Sequence, residues 1–135
     1  MRRNSSQSTQ DKLLIIAKAA LEKKADNIVI MNMKKLSMVC DFFLICSGNT
    51  ERKVKAIAGS ITDDLKKAAL KVWHIEGYNE ASWVLLDCYD VVIHIFKSEL
   101  RDFYNLERLW ADAPKDMLTE ESVKKVKEKP HCFNK

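Results

Sequence analysis

Between Trp83 and Phe96 the chain reads WVLLDCYDVVIHIF, two apolar runs, Trp83–Cys88 and Val91–Phe96, set almost end to end. The residues between and at their ends, Asp87, Cys88, Tyr89 and Asp90, are turn formers in part, and the runs themselves are rich in Val, Ile and aromatic residues. Two β-prone runs with so short a gap are predicted to form an antiparallel hairpin. Any fold available to this chain must therefore accommodate a hairpin near its C-terminal third. Alternation along the first strand sends Trp83, Leu85 and Asp87 to one face and Val84, Leu86 and Cys88 to the other.

A second run constrains the middle of the sheet. Asp41–Ser47, DFFLICS, is apolar without alternation, the pattern of a central strand covered on both faces. Gly48 follows, with Asn49 and Thr50 as helix cap. The helices come from three- and four-residue spacing. Leu13, Ile16, Ala17, Ala20 and Leu21 make one stripe within Gln10–Lys24, and Val54, Ile57, Ile61, Leu65 and Ala68 make another within Glu51–Leu70. Gly59 interrupts the second helix at about 1 kcal/mol relative to Ala, which predicts a close contact there. Ile28–Met31 and Val72–Ile75 are short strands, Gly77 is a turn, and Ser98 caps a short helix before another turn at Asn105–Trp110. The result is an α+β sandwich, a mixed sheet of about five strands packed with two main helices. Residues 1–8 are expected to be disordered, 9–113 to form the domain, and 114–135 to be a mobile Lys/Glu-rich tail.

With 47% apolar residues, a chain of 135 residues has ample material for one core and buries roughly two-thirds of its unfolded surface without help from disulfides or metal. Cys40, Cys46, Cys88 and Cys132 form no C-x-x-C pair, and the reading is reduced thiols in the cytoplasm. No apolar run approaches the ~20 residues of a membrane span, and MRRNSSQSTQ has no apolar segment of a secretory signal.

The net charge of +4 is unevenly spread: residues 72–114 hold three basic and eight acidic residues, whereas 50–71 hold six basic and three acidic. The hairpin region is acidic, which favours a basic partner over phosphate. The strands at 83–96 contain no Arg or Lys, so an RNA-binding sheet of interleaved aromatics and cations is not indicated.

Enzymatic signatures are sparse. Ser47-Gly48-Asn49-Thr50 is a strand–turn–helix junction, yet it matches neither the P-loop nor the dinucleotide pattern. Asp87 and Asp90 flank a turn and Asp63-Asp64 sit on a helix, and neither pair forms a metal-binding D-x-D at a strand end. His74, His94 and His131 have no ligand-spaced partners and read as structural histidines. What remains is an acidic surface rich in aromatics. Trp83 is either a core residue or a partly exposed anchor of an interface, and the spacing is compatible with both.

The segments KADNIVIMNM, DFFLICSGNTERKVKAIA and EGYNEASWVLLDCYDVVIHIFKSELRDFYNLERLW resemble the ribosomal silencing factor family, also called RsfS or Iojap, over residues 11–113. The chain departs from the family pattern at Tyr89 and near Ala69-Leu70, where the family usually or often has Gly. The resemblance implies a nucleotidyltransferase-like sandwich without catalytic residues or cofactor. It implies a protein that binds the large ribosomal subunit through its protein numbered fourteen, blocks joining of the small subunit, represses translation under nutrient limitation and forms homodimers. Trp83, Leu85 and Asp87 are then the expected partner-binding residues; Tyr104 and Glu107, with Trp110, are expected either to join them or to pack the domain or the dimer, and Arg101 is expected to pair with carboxylates near Asp102 or with the partner. Two other classes stay open: a nucleotide-binding enzyme of transferase type using the Gly48 junction with Asp41 or Asp87, and an RNA-binding assembly factor using Lys53, Lys55, Lys66 and Lys67.

Overall fold

The computed structural model describes residues 7–119. Helix α1 (Gln7–Glu22) leads into β1 (Asp26–Asn32) and β2 (Phe42–Gly48), then α2 (Glu51–Lys67), β3 (His74–Glu76), and the hairpin β4 (Trp83–Asp87) and β5 (Val91–Lys97). Two short helices, α3 (Ser98–Tyr104) and α4 (Leu106–Leu109), precede a last strand, β6 (Lys115–Leu118). The strands form one mixed sheet in the order β3-β4-β5-β2-β1-β6. Only β2 and β5 run parallel, Phe42 beside Val91 through Gly48 beside Lys97, and every other neighbouring pair is antiparallel. The apolar run of β2 is therefore central, as its lack of alternation predicts.

Among the described residues the sheet has six strands where about five are expected from sequence. The sixth, β6, comes from the stretch assigned to the tail and pairs with β1, Leu118 opposite Ile28 and Lys115 opposite Met31. Four residues, two of them charged, carry too little alternation to register as a strand. Leu118 nevertheless enters the core at 6% exposure, and a backbone bond from Asn32 N–H to the Pro114 carbonyl (2.8 Å) guides the chain into place. A short edge strand carrying Lys is also a common way of blunting a sheet edge.

Both helical stripes pack on one face of the sheet. Leu13, Ile16, Ala17 and Ala20 of α1 and Val54, Ile57, Ile61 and Leu65 of α2 are buried against Ile28, Ile30, Leu44, Val84, Leu86, Ile93 and Ile95. Ala68 does not belong to the stripe; it is the exposed C-cap of α2. A Cβ at Gly59 would have no atom within 4 Å, so no close contact explains that glycine. Gly77 is the constrained one, with φ +77° and space for a Cβ blocked by the Trp83 carbonyl at 2.3 Å.

The other face is covered only in part. Val29, Met31, Met33, Cys40, Ile45, Phe96, Leu106 and Ala113 form a smaller core beneath α3 and α4. Ser98 does not cap α3 but is its first residue; Lys97 stands at the cap and contributes no side-chain bond. Asn105, at φ +45°, ends α3 and starts α4, accepting from Arg108 N–H. Predictions for residues 1–6, His131 and Cys132 lie outside the described residues, and α1 already begins at Gln7.

Candidate functional site

The alternation along β4 is realised as predicted. Val84 and Leu86 are fully buried beneath the helices, whereas Trp83, Leu85 and Asp87 are half-buried on the opposite face. Across the hairpin Trp83 faces Phe96, Leu85 faces His94 and Asp87 faces Val92. The Trp83 ring lies 4.8 Å from the rings of both Phe96 and Tyr104, centroid to centroid. Its Nε1–H donates to His94 Nδ1 at 3.1 Å. Tyr104 itself is 46% exposed, and the neighbouring Phe103 is 77% exposed. Trp83 is thus neither wholly core nor free: one side is packed and hydrogen-bonded, the other reaches the surface.

That surface is a shallow concavity of 560 Å³ lined by His74, Glu76, Gly77, Glu80, Trp83 and Leu85. The acidic surplus of the segment acquires a location here, with Glu76 and Glu80 beside an aromatic ring. His74 and Glu76 contact each other through imidazole Nε2 and carboxylate. The strand β3 that carries them is the edge of the sheet and is exposed at all three residues.

Of the five residues expected to bind a partner, Trp83, Leu85 and Tyr104 fall together. Asp87 shares their strand face but lies at its far end, where its Oδ1 accepts from Tyr89 N–H at 2.9 Å and shapes the turn. Glu107 is engaged elsewhere. Its two carboxylate oxygens accept from Arg101 Nε and an Arg101 terminal nitrogen, both at 3.2 Å. Arg101 is buried and also donates to Ser47 Oγ and the Asp26 carbonyl, each at 3.3 Å. Its partner is therefore Glu107, six residues on, and not the carboxylates around Asp102. These groups border a separate concavity of 380 Å³ at the C-terminal end of the parallel β2/β5 pair.

The enzymatic candidates disperse. Asp90 is tied to α1 by Lys12 Nζ at 2.6 Å and by the Thr9 hydroxyl, while Asp87 faces the other side of the sheet. No group of three or more potential metal ligands occurs among the described residues. At the Gly48 junction, Thr50 Oγ1 accepts from Lys53 N–H as an ordinary N-cap, and Ser47 Oγ is occupied by Arg101 and the Asp26 carbonyl. Burial pushes the thiols of Cys46 and Cys88 up to about 12, so neither supplies a thiolate at neutral pH. Burial likewise pushes His94 down to about 4. Lys53 and Lys55 lie on α2, and Lys66 and Lys67 sit in its last turn, where they complement the helix dipole. That helix covers the sheet face opposite Trp83.

Sequence reasoning assigned no role here to His94, Phe96, Glu76 or Glu80. His94 was legible in principle, because a hairpin with Trp83 opposite Phe96 places His94 diagonal to Trp83 on the same face. Glu76 and Glu80 required knowing that β3 pairs with β4.

The family described as "Ribosomal silencing factor during starvation" matches residues 6–134. Ribosomal silencing factor RsfS of Halalkalibacterium halodurans is 45% identical over 107 residues, covering 79% of this chain and 92% of the relative. The same-named protein of Bacillus subtilis is 46% identical, covering 78% and 90%, and the chloroplastic protein Iojap of Zea mays is 37% identical, covering 73% and 42%. Among solved structures, one from Bacillus halodurans superposes with a TM-score of 0.72 at 42% identity, covering 81% of this chain and 99% of that one. One from Chromobacterium violaceum gives 0.74 at 31% identity, covering 76% and 85%.

Proposed function

Since the chain belongs to the ribosomal silencing factor family, we propose that it binds the large ribosomal subunit through the subunit's protein numbered fourteen, blocks joining of the small subunit and so represses translation when nutrients are limiting. The observation that carries this reading is the half-buried Trp83 lining an acidic concavity. A basic ribosomal protein complements Glu76 and Glu80, and an aromatic anchor beside them has the composition of a binding hot spot. Trp83 is the anchor, with Leu85 and Tyr104 beside it and Asp87 at the strand end, while Glu107, held by Arg101 at the separate concavity, stands apart from them. Blocking subunit joining then needs only steric overlap, with no catalytic step, cofactor or direct nucleic-acid contact. The same reading puts the protein in the cytoplasm, and the family resemblance adds a homodimer.

The test is co-sedimentation with purified large subunits, with and without Trp83→Ala. Wild type co-migrates and reduces the joined-ribosome peak; the folded variant binds roughly 30-fold more weakly, the loss of one hot-spot residue. A variant that binds as tightly as wild type, or that unfolds, removes Trp83 as the anchor. Absence of wild-type co-migration removes the ribosomal reading.

A further inference from the structure

His94 is a polar residue 5% exposed in an apolar part of the sheet. Its ring has Phe43 edge-on at 4.7 Å and Phe96 stacked at 6.4 Å. Its Nδ1 lies 3.1 Å from the Trp83 indole nitrogen. An indole N–H is a donor only, so Nδ1 must be the accepting nitrogen and the single proton of the neutral ring sits on Nε2. Nε2 has no hydrogen-bond partner among the described residues. A buried donor left unsatisfied is costly, and the same position filled by Leu or Phe would avoid that cost. The fold thus accepts a penalty to keep one acceptor under Trp83.

The effect falls on the orientation of Trp83. Phe96 and Tyr104 pack against its ring but do not fix its rotation about the side-chain bonds, because ring contacts tolerate sliding. A hydrogen bond from Nε1 to a strand-borne imidazole does fix it. With the indole donor turned inward, the part of Trp83 that reaches the concavity is hydrocarbon and π-face, suited to a cation or an apolar side chain and not to a hydrogen-bond acceptor. Glu76 and Glu80 on the rim of the same concavity suit the cation.

We propose that His94 is a positioning residue whose Nδ1 holds the Trp83 indole inward, so that the ring and not the N–H meets the partner; the binding half of this inference rests on the ribosomal reading above. The comparison is His94→Leu, which removes the acceptor, against His94→Asn, which is smaller than His but can place its Oδ1 where Nδ1 stands. In the free protein, nitrogen NMR of wild type is expected to show Nδ1 unprotonated and the Trp83 indole N–H, assigned by loss of its signal in Trp83→Phe, slow to exchange. His94→Leu moves that signal and speeds its exchange, and His94→Asn restores both. Binding to the large subunit weakens roughly fivefold in His94→Leu, the worth of one net hydrogen bond, and recovers in His94→Asn. A proton on Nδ1 in wild type overturns the proposal whatever the variants do. So does an unmoved indole signal in His94→Leu, or a moved signal with unchanged binding. Because the NMR arm needs no ribosome, failure of wild type to co-sediment would refute the ribosomal reading while leaving the His94–Trp83 bond separately decided.

Discussion

Acidification should unfold this protein sooner than its carboxylates alone require, and His94 is the reason. Burial pushes its imidazole from 6.5 down to about 4, so in that interval the unfolded chain binds a proton the native protein does not. Stability therefore rises with pH across the interval: it is fully present above the unfolded value and is lost progressively as pH falls toward the folded one. The interval corresponds to about 3 kcal/mol by pH 4, and about 2 kcal/mol of it is already lost at pH 5. Against a typical domain stability of about 5–15 kcal/mol that is a large share. Urea denaturation of wild type and His94→Leu, repeated from about pH 7 to about pH 4.5, isolates the effect, because other titrating groups are common to both. The difference in unfolding free energy should move in favour of the variant by about 2 kcal/mol between about pH 7 and about pH 5. Parallel curves would refute the argument, since they would mean that His94 takes up its proton equally in the folded and unfolded chains.

Ala69→Gly should stabilise the domain by about 1 kcal/mol, raising the melting temperature by roughly 4 °C. Ala69 stands at φ +59°, and the bonds Ala69 N–H to Lys66 carbonyl (2.9 Å) and Leu70 N–H to Leu65 carbonyl (2.8 Å) form a complete Schellman motif around it; a thermal melt showing no gain would contradict this. Glu107→Gln should cost about 2 kcal/mol in denaturant titration, because it leaves the buried Arg101 guanidinium without its counter-charge. Loss of large-subunit binding in Glu107→Gln at unchanged stability would instead assign that carboxylate to the partner contact.

What the sequence revealed and concealed follows from the reach of each signal. The hairpin, the central strand and the two helical stripes are periodic, and periodicity is a local property, so Trp83–Asp87, Phe42–Gly48 and the faces of α1 and α2 were readable directly. The helices end at Glu22 and Lys67, short of the periodic spans that run to Lys24 and Leu70, for a specific reason. The chain has three glycines, and its left-handed helix-terminal positions are filled by Lys24 at φ +57° and Ala69 at φ +59° instead. The bonds Lys24 N–H to Leu21 carbonyl and Ala25 N–H to Ala20 carbonyl repeat at α1 the motif that ends α2. Tyr89, at φ +75°, similarly occupies a turn position where glycine would signal itself. Tyr89 and Ala69 thus both stand where the backbone is left-handed. The site was half legible for the same kind of reason. Trp83, Leu85 and Tyr104 are brought together by alternation and a following helix, but Arg101 finds Glu107 only because Asn105 bends the chain between them.

Charge segregation across the sheet gives the proposed docking face its directionality. Lys66 and Lys67 lie at the end of α2, which packs on the face opposite Trp83. Glu76 and Glu80 border Trp83, and Asp87 lies further along the same strand face. A chain of net +4 thereby presents a locally negative patch at its aromatic anchor. Such an arrangement changes how a basic partner approaches more than how tightly it is held: long-range attraction orients the encounter, and apolar contact on the Trp83 ring sets the lifetime. Added salt should then slow association with little effect on dissociation. Of the two helices that bury one face of the sheet, α2 carries five basic and three acidic residues, and the two that half-cover the other face leave the anchor accessible. The open half of that second face is thus where the unspent apolar surface and the acidic surplus coincide.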